Sequence, residues 1–237
     1  MTKGCKRVKK LKISSEFTYI AAILLLSLSV AMITTTGFGV SMIVAPAYIL
    51  SLKLGITFGQ GEYIIQAVLF VVFCILMKKV KLVYFSSFLT GVIYGAVLDL
   101  WRTVIPHFNP NITPVGSLPL WLRLIYFVLG MLMTSFSVAL FFRTYFYPQV
   151  YDFFVKGVSG KYSFHREKFK TCFDASCLLA AVIMTLLMFH GFKGIGVGTL
   201  IMTAFNGLII SFFGKIQDKF LDISPRFKKL SQYFSID

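Results

Sequence analysis

Acidic residues are scarce in this chain, nine Asp and Glu among 237 residues, so their positions carry information. Two fall inside apolar runs: Asp99 in the run 82–105 and Asp174 in the run 170–190. A carboxylate in an apolar segment is costly unless it is paired, hydrated or protonated, and by default it marks an ion, proton or substrate site. Asp99 has two readings. It either pairs with Arg102, three residues on and on the same helical face, or it holds a substrate or proton. Asp174 either reaches the membrane interface beside Lys170 or forms part of a site. Gln66 in the run 62–77 and Asn206 in the run 196–214 either tie helices together or join Asp99 and Asp174 as the polar lining of a central cavity. Enzyme chemistry is not visible. The sequence has no GxxxxGK[ST], HExxH or GxSxG motif. His107, His165 and His190 are scattered, and the four cysteines contain no CxxC pair, so no metal or cofactor is expected. Gly194-Ile195-Gly196-Val197-Gly198 only superficially resembles a phosphate loop, and close packing suits it better.

The elements that must position these groups are membrane spans. Apolar residues make up 57% of the chain. The expected helices lie at 17–36, 62–77, 82–105, 118–142, 170–190 and 196–214, about 20 residues each, the length that crosses a bilayer. The net charge of +15 does not imply nucleic acid, because the basic residues sit between apolar runs. They mark one side: the tail 1–16, the turn Lys78-Lys79-Val80-Lys81, the stretch 143–170 and the segment 215–237. The regions 37–61, 106–117 and 191–195 carry few charges. The positive-inside rule then puts both termini in the cytoplasm. The apolar run from Phe17 is too long for a typical signal-peptide core and is read as an uncleaved first helix.

Two four-residue stripes of small and polar residues recur in the third and sixth helices. Ser87, Gly91, Gly95 and Asp99 form one; Thr199, Thr203, Gly207 and Ser211 form the other. Such stripes pack helices closely in lipid, and their recurrence suggests an internal repeat. The organisation expected is a basic cytoplasmic tail (1–16), a first three-helix half (17–105), an extracytoplasmic linker (106–117), a second half (118–214) and an amphipathic cytoplasmic tail (215–237), read as a helix on the anionic inner leaflet. Three spans per half make the repeat inverted. Pro46 and Pro148 each follow the first span of a half and precede a stretch too short to cross, expected as a short interfacial or re-entrant helix. The fold class expected is thus an all-α polytopic membrane protein of six spans in two inverted repeats.

Three motifs carry a family resemblance. Lys170-Thr171-Cys172-Phe173-Asp174-Ala175-Ser176, Gly194-Ile195-Gly196-Val197-Gly198-Thr199-Leu200-Ile201 and Gly95-Ala96-Val97-Leu98-Asp99-Leu100 together resemble the YczE/YyaS/YitT-like bacterial membrane proteins in span order. The resemblance implies a bacterial plasma-membrane protein, with transport or export commonly proposed, and adds weight to Asp99 and Asp174. The expected function is secondary transport or export of a small solute by alternating access, with proton coupling as an option. The alternatives are a non-transporting anchor or regulator that docks a cytoplasmic partner through 143–170 or 215–237, and a solute-recognising subunit of a separately energised complex. Lipid is the first partner, homo-oligomerisation is open, and nucleic acid is not expected.

Overall fold

The computed structural model describes residues 10–78, 84–147, 149–227 and 231. The basic residues of the extreme N-terminus with Cys5, the turn residues Lys79 and Lys81, Pro148 and most of the segment after Phe227 lie outside the described residues.

Among the described residues, α-helices follow in chain order: α1 (Ser15–Thr36), α2 (Ala45–Leu54), α3 (Phe58–Met77), α4 (Tyr84–Val104), α5 (Leu120–Phe141), α6 (Val150–Lys161), α7 (Arg166–Phe189) and α8 (Val197–Phe220). A short strand precedes them, β1 (Leu11–Ser14), and another follows, β2 (Leu221–Ser224). Six helices, all but α2 and α6, are long and apolar enough to cross a membrane. Large apolar side chains such as Val68, Val71, Ile75, Leu187, Leu208 and Phe212 lie exposed along them, as lipid-facing surfaces do. The chain is an all-helical, multi-pass membrane protein.

Local signals set the helix ends. The Ser14 hydroxyl accepts from the Phe17 N–H and opens α1, and Gly37, at φ 69°, closes it. Thr57 opens α3 with a capping box: its hydroxyl accepts from the Gln60 N–H, and the Gln60 carboxamide accepts from the Thr57 N–H. That box starts α3 four residues before the edge expected at residue 62.

The centre of the molecule is the α1–α5 seam. Gly130 lets α5 approach Ile33 and the Ser29 carbonyl, and the Ser29 and Thr134 hydroxyls bond at 2.8 Å. Helix α1 also packs on α4, and α5 on α8. The two short helices share their neighbours. Helix α2 packs on both α3 and α7, and α6 packs on the same two. Helix α4 packs along α3, whereas α7 and α8 do not pack on each other among the described residues.

The glycine run 194–198 is used for close packing, but against a loop. Val40 N–H donates to the Gly194 carbonyl at 3.1 Å and Gly198 N–H to the Phe38 carbonyl at 2.8 Å. Gly39, at φ 99°, faces the Gly196 nitrogen with no room for a Cβ.

Of the amphipathic helix expected at 215–237, residues 221–224 form a strand instead. Helix α8 runs on to Phe220, and Leu221–Ser224 then pairs in parallel with Leu11–Ser14, Leu11 opposite Leu221 and Ser14 opposite Ser224. Leu221 and Ile223 pack on the core while Asp222 and Ser224 are exposed. This two-residue alternation suits a strand and not a helix.

Candidate functional site

Among the described residues the most deeply buried acidic side chain is Glu62, which the sequence places at a helix edge. Because the capping box starts α3 at Phe58, Glu62 is one turn inside the helix, fully buried at 0% exposure. Gln66, one turn further on the same face, is also 0% exposed. The Gln66 Nε2 donates to Glu62 Oε2 at 3.0 Å, and the Tyr151 hydroxyl of α6 donates to the same oxygen at 2.9 Å. Glu62 Oε1 and Gln66 Oε1 are buried with no hydrogen-bond partner among the described residues. Helix α4 closes the site from a third side. A Cβ on Gly91 would overlap the Gln66 carboxamide, so the absent side chain at 91 is what lets Gln66 lie there. Tyr94 is buried on the same helix.

A second polar cluster lies on the next residue of α6. Asp152 accepts from Lys170 of α7 at 2.9 Å, and Lys170 lies 3.8 Å from Asp174, one turn on. Asp174 is buried to 9% exposure. Adjacent residues of α6, Tyr151 and Asp152, thus bind α3 and α7 respectively. Counting from the helix starts, Glu62 and Gln66 hold the same positions in α3 as Lys170 and Asp174 in α7.

The other residues singled out by sequence are dispersed. Asp99 does not form an ion pair with Arg102. Its carboxylate accepts from the Thr57 hydroxyl at 2.5 Å and the Gly59 N–H at 2.9 Å, a cap on the N-terminus of α3 supplied by α4. The first N–H groups of a helix have no intrahelical partner and carry partial positive charge, so the start of α3 accommodates the Asp99 carboxylate. Arg102 lies 5.7 Å from the Phe58 ring, its Nε buried and without a hydrogen-bond partner among the described residues. Asn206 accepts from Ser135 at 2.5 Å and ties α8 to α5, away from Gln66.

The first stripe forms a packed seam. Gly91 faces Gln66, and Gly95 faces Tyr63 and Gly59. The second does not. Thr199 is buried, but Thr203, Gly207 and Ser211 are exposed, and nothing lies within 4 Å of where a Gly207 Cβ would stand. Residues 207 and 211 open onto a groove beside Arg143, which is held by Asp218 and the Gly214 carbonyl.

Of the residues expected to line a cavity, Gln66 is at the buried cluster and Asp174 at its neighbour on α6, while Asp99 and Asn206 are elsewhere. Glu62 and Tyr151 complete the cluster and were missed. The signal for Glu62 is the Thr57-x-x-Gln60 box, which fixes the helix start and so the residue's depth.

The chain is similar to the uncharacterised protein YyaS of Bacillus subtilis (strain 168), with 26% identity over 201 residues, covering 85% of this chain and 92% of that protein. This relative meets the YyaS part of the resemblance. No solved structure matches. A family model described as "Family of unknown function (DUF6198)" matches residues 13–215, most of the described helices, and the chain belongs to that family.

Proposed function

We propose that this protein is a secondary transporter of a small solute, working by alternating access between two inverted halves. The carrying observation is the Glu62–Gln66–Tyr151 cluster: two uncompensated buried acceptors where α3 and α4 of one half meet the short helix α6 of the other. Transporter sites are commonly built at such junctions, from discontinuous helices inside the membrane. A purely structural carboxylate in a span would be expected to have its acceptors filled.

The repeat is supported by element order and packing. Both halves run long, short, long, long, and the short helix of each packs on the third helix of both. An odd number of crossings per half inverts one against the other. A re-entrant course for α6 is supported by its contacts. Tyr151 meets Glu62, while Lys161 donates to the Leu76 carbonyl near the far end of α3. Tyr151 and Lys161 are ~15 Å apart along α6 at about 1.5 Å per residue, so α6 starts that far from the end at which it leaves. With the basic segments 143–170 and 215–237 on the cytoplasmic side, the proposed setting is a bacterial plasma membrane with both termini inside.

The test is flux. A thermal-shift screen of small solutes identifies ligands of the purified chain, and their labelled forms are followed in proteoliposomes. Transport should fall at least ~10-fold in Glu62→Gln and Gln66→Ala, about the loss expected when a buried hydrogen-bonded contact worth ~1.4 kcal/mol is removed. Unchanged flux in both variants would remove the cluster from transport.

A further inference from the structure

We propose that Glu62 Oε1 is a proton-binding site and that the ligand of this cluster is a single exchangeable proton, the coupling ion of the transporter inferred above. The site stands on its own geometry; only the use of the proton rests on the transport reading. Both described donors, Gln66 Nε2 and the Tyr151 hydroxyl, go to Oε2. Oε1 and Gln66 Oε1 remain as buried acceptors without donors. One proton on Oε1 removes the charge and turns one of these two unfilled acceptors into a donor. No bond is broken: the carboxylate and a proton become the acid, and release reverses it.

The surroundings supply no counter-charge. Among the described residues no lysine, arginine or histidine nitrogen lies within 4 Å of Glu62. The charged and titratable groups on the elements around it include Tyr63 on α3, Tyr94, Asp99 and Arg102 on α4, Tyr48 and Lys53 on α2, Tyr151, Asp152, Lys156 and Lys161 on α6, and Lys170, Asp174 and Cys177 on α7. Arg102 stands over the Phe58 ring, Lys156 over the Tyr147 ring, and Lys161 donates to the Leu76 carbonyl. Lys170 is engaged by Asp152 and lies near Asp174, and Lys53 donates to the Met188 carbonyl. Asp99 is turned to the start of α3. An ionised Glu62 would therefore be an unpaired charge inside a span, which is strongly unfavourable. A bound metal cation suits the cluster poorly. Hard cations such as calcium take six to eight oxygen ligands, and no group of three or more His, Cys, Asp or Glu able to hold a metal occurs among the described residues. The Gly91 backbone also lies directly against the Gln66 carboxamide.

Infrared difference spectroscopy of the full chain in detergent, titrated with pH, tests this without requiring transport. A carboxylic-acid carbonyl band is expected to persist at neutral pH. It should be lost in Glu62→Gln, move in Glu62→Asp, shift in Gln66→Ala, and stay unchanged in Asp99→Asn and Asp174→Asn. The Glu62→Asp arm keeps the test valid where Glu62→Gln fails to fold. A band that survives in Glu62→Gln, or no band at neutral pH in the unaltered protein, overturns the proton site. So does a band abolished by sodium at constant pH, which would make the ligand a metal cation. The band together with absent flux supports the proton site and removes only the transport reading. Flux without the band does the reverse.

Discussion

A methyl group on Gly91 would enter the space occupied by the Gln66 carboxamide. Gln66 is fully buried, so its end cannot swing into solvent, and either the amide loses its bond to Glu62 or α4 moves away from α3. Gly91→Ala should therefore cost about 1–3 kcal/mol, the usual penalty for overpacking, read as a lowered unfolding temperature in detergent. A stability equal to the unaltered protein would show that the α3–α4 seam is loose. Asp99 calls for a different expectation. Its bonds to Thr57 and Gly59 make it a cap for α3, and removing an N-terminal cap typically costs ~1 kcal/mol. Asp99→Ala should lower the unfolding temperature while leaving flux per folded molecule within about twofold, a change well below the effect of ~1.4 kcal/mol on a rate. Loss of flux at normal stability would return Asp99 to the site.

At the scale of elements, the two ends of the described chain and the α5–α6 connection are strapped together by one carboxylate. Glu16 accepts from the Tyr145 hydroxyl at 2.9 Å and from the backbone N–H of Arg226 and Phe227, both at 3.1 Å. Burial and then the neighbouring Glu16 hold the Tyr145 phenol above its ordinary value of 10.0. The sign follows from linkage. Below pH 10 the phenol is protonated in both folded and unfolded chains, and the strap contributes in full. As pH rises past 10 the unfolded phenol ionises while the folded one keeps its proton, so that contribution declines. The difference in unfolding temperature between the unaltered protein and Tyr145→Phe should narrow above pH 10, and a difference independent of pH would dismiss the strap. The strap also marks where sequence reading stops. The six spans were legible because long apolar runs have few other destinations. The two short helices were legible because Pro46 and Pro148 punctuate the chain before segments too short to cross. Glu16, Arg226 and Phe227 are joined only by tertiary pairing of β1 with β2, and short strands at opposite ends of a sequence carry no local signal of each other. Glu62 was hidden for a different reason. Hydropathy alone places a helix start only to within a few residues, and a shift of one turn separates a solvated helix end from a buried carboxylate.

At the scale of the molecule, the two halves proposed above differ in one seam. Helices α3 and α4 are closed on each other through Gly91 and Gly95, whereas among the described residues α7 and α8 form no packed seam and Gly207 is open. In the proposed inverted repeat these are equivalent seams in opposite states, and alternating access then consists in exchanging them. Helix starts and stripe positions give the correspondence. The contact of Tyr63 with Gly95 has Thr171 and Gly207 as its counterpart, and that of Gln66 with Gly91 has Asp174 and Thr203. In the alternate state Gly207 would receive Thr171, Asp174 would be covered by α8, and Gln66 and Glu62 would be uncovered as α4 withdraws. The exchange is testable in a chain whose four native cysteines are replaced. Tyr63→Cys with Gly95→Cys should crosslink in the state described here. Thr171→Cys with Gly207→Cys should crosslink only in the other, because a disulfide needs the two Cα atoms within about 7 Å. Saturating solute or a change of pH should shift yield from one pair to the other, and locking either pair should stop flux. Persistent crosslinking of the first pair with none of the second, under every condition in which the protein transports, would mean that the open α7–α8 seam is a fixed lipid-facing surface. Transport would then have to proceed without the halves trading places.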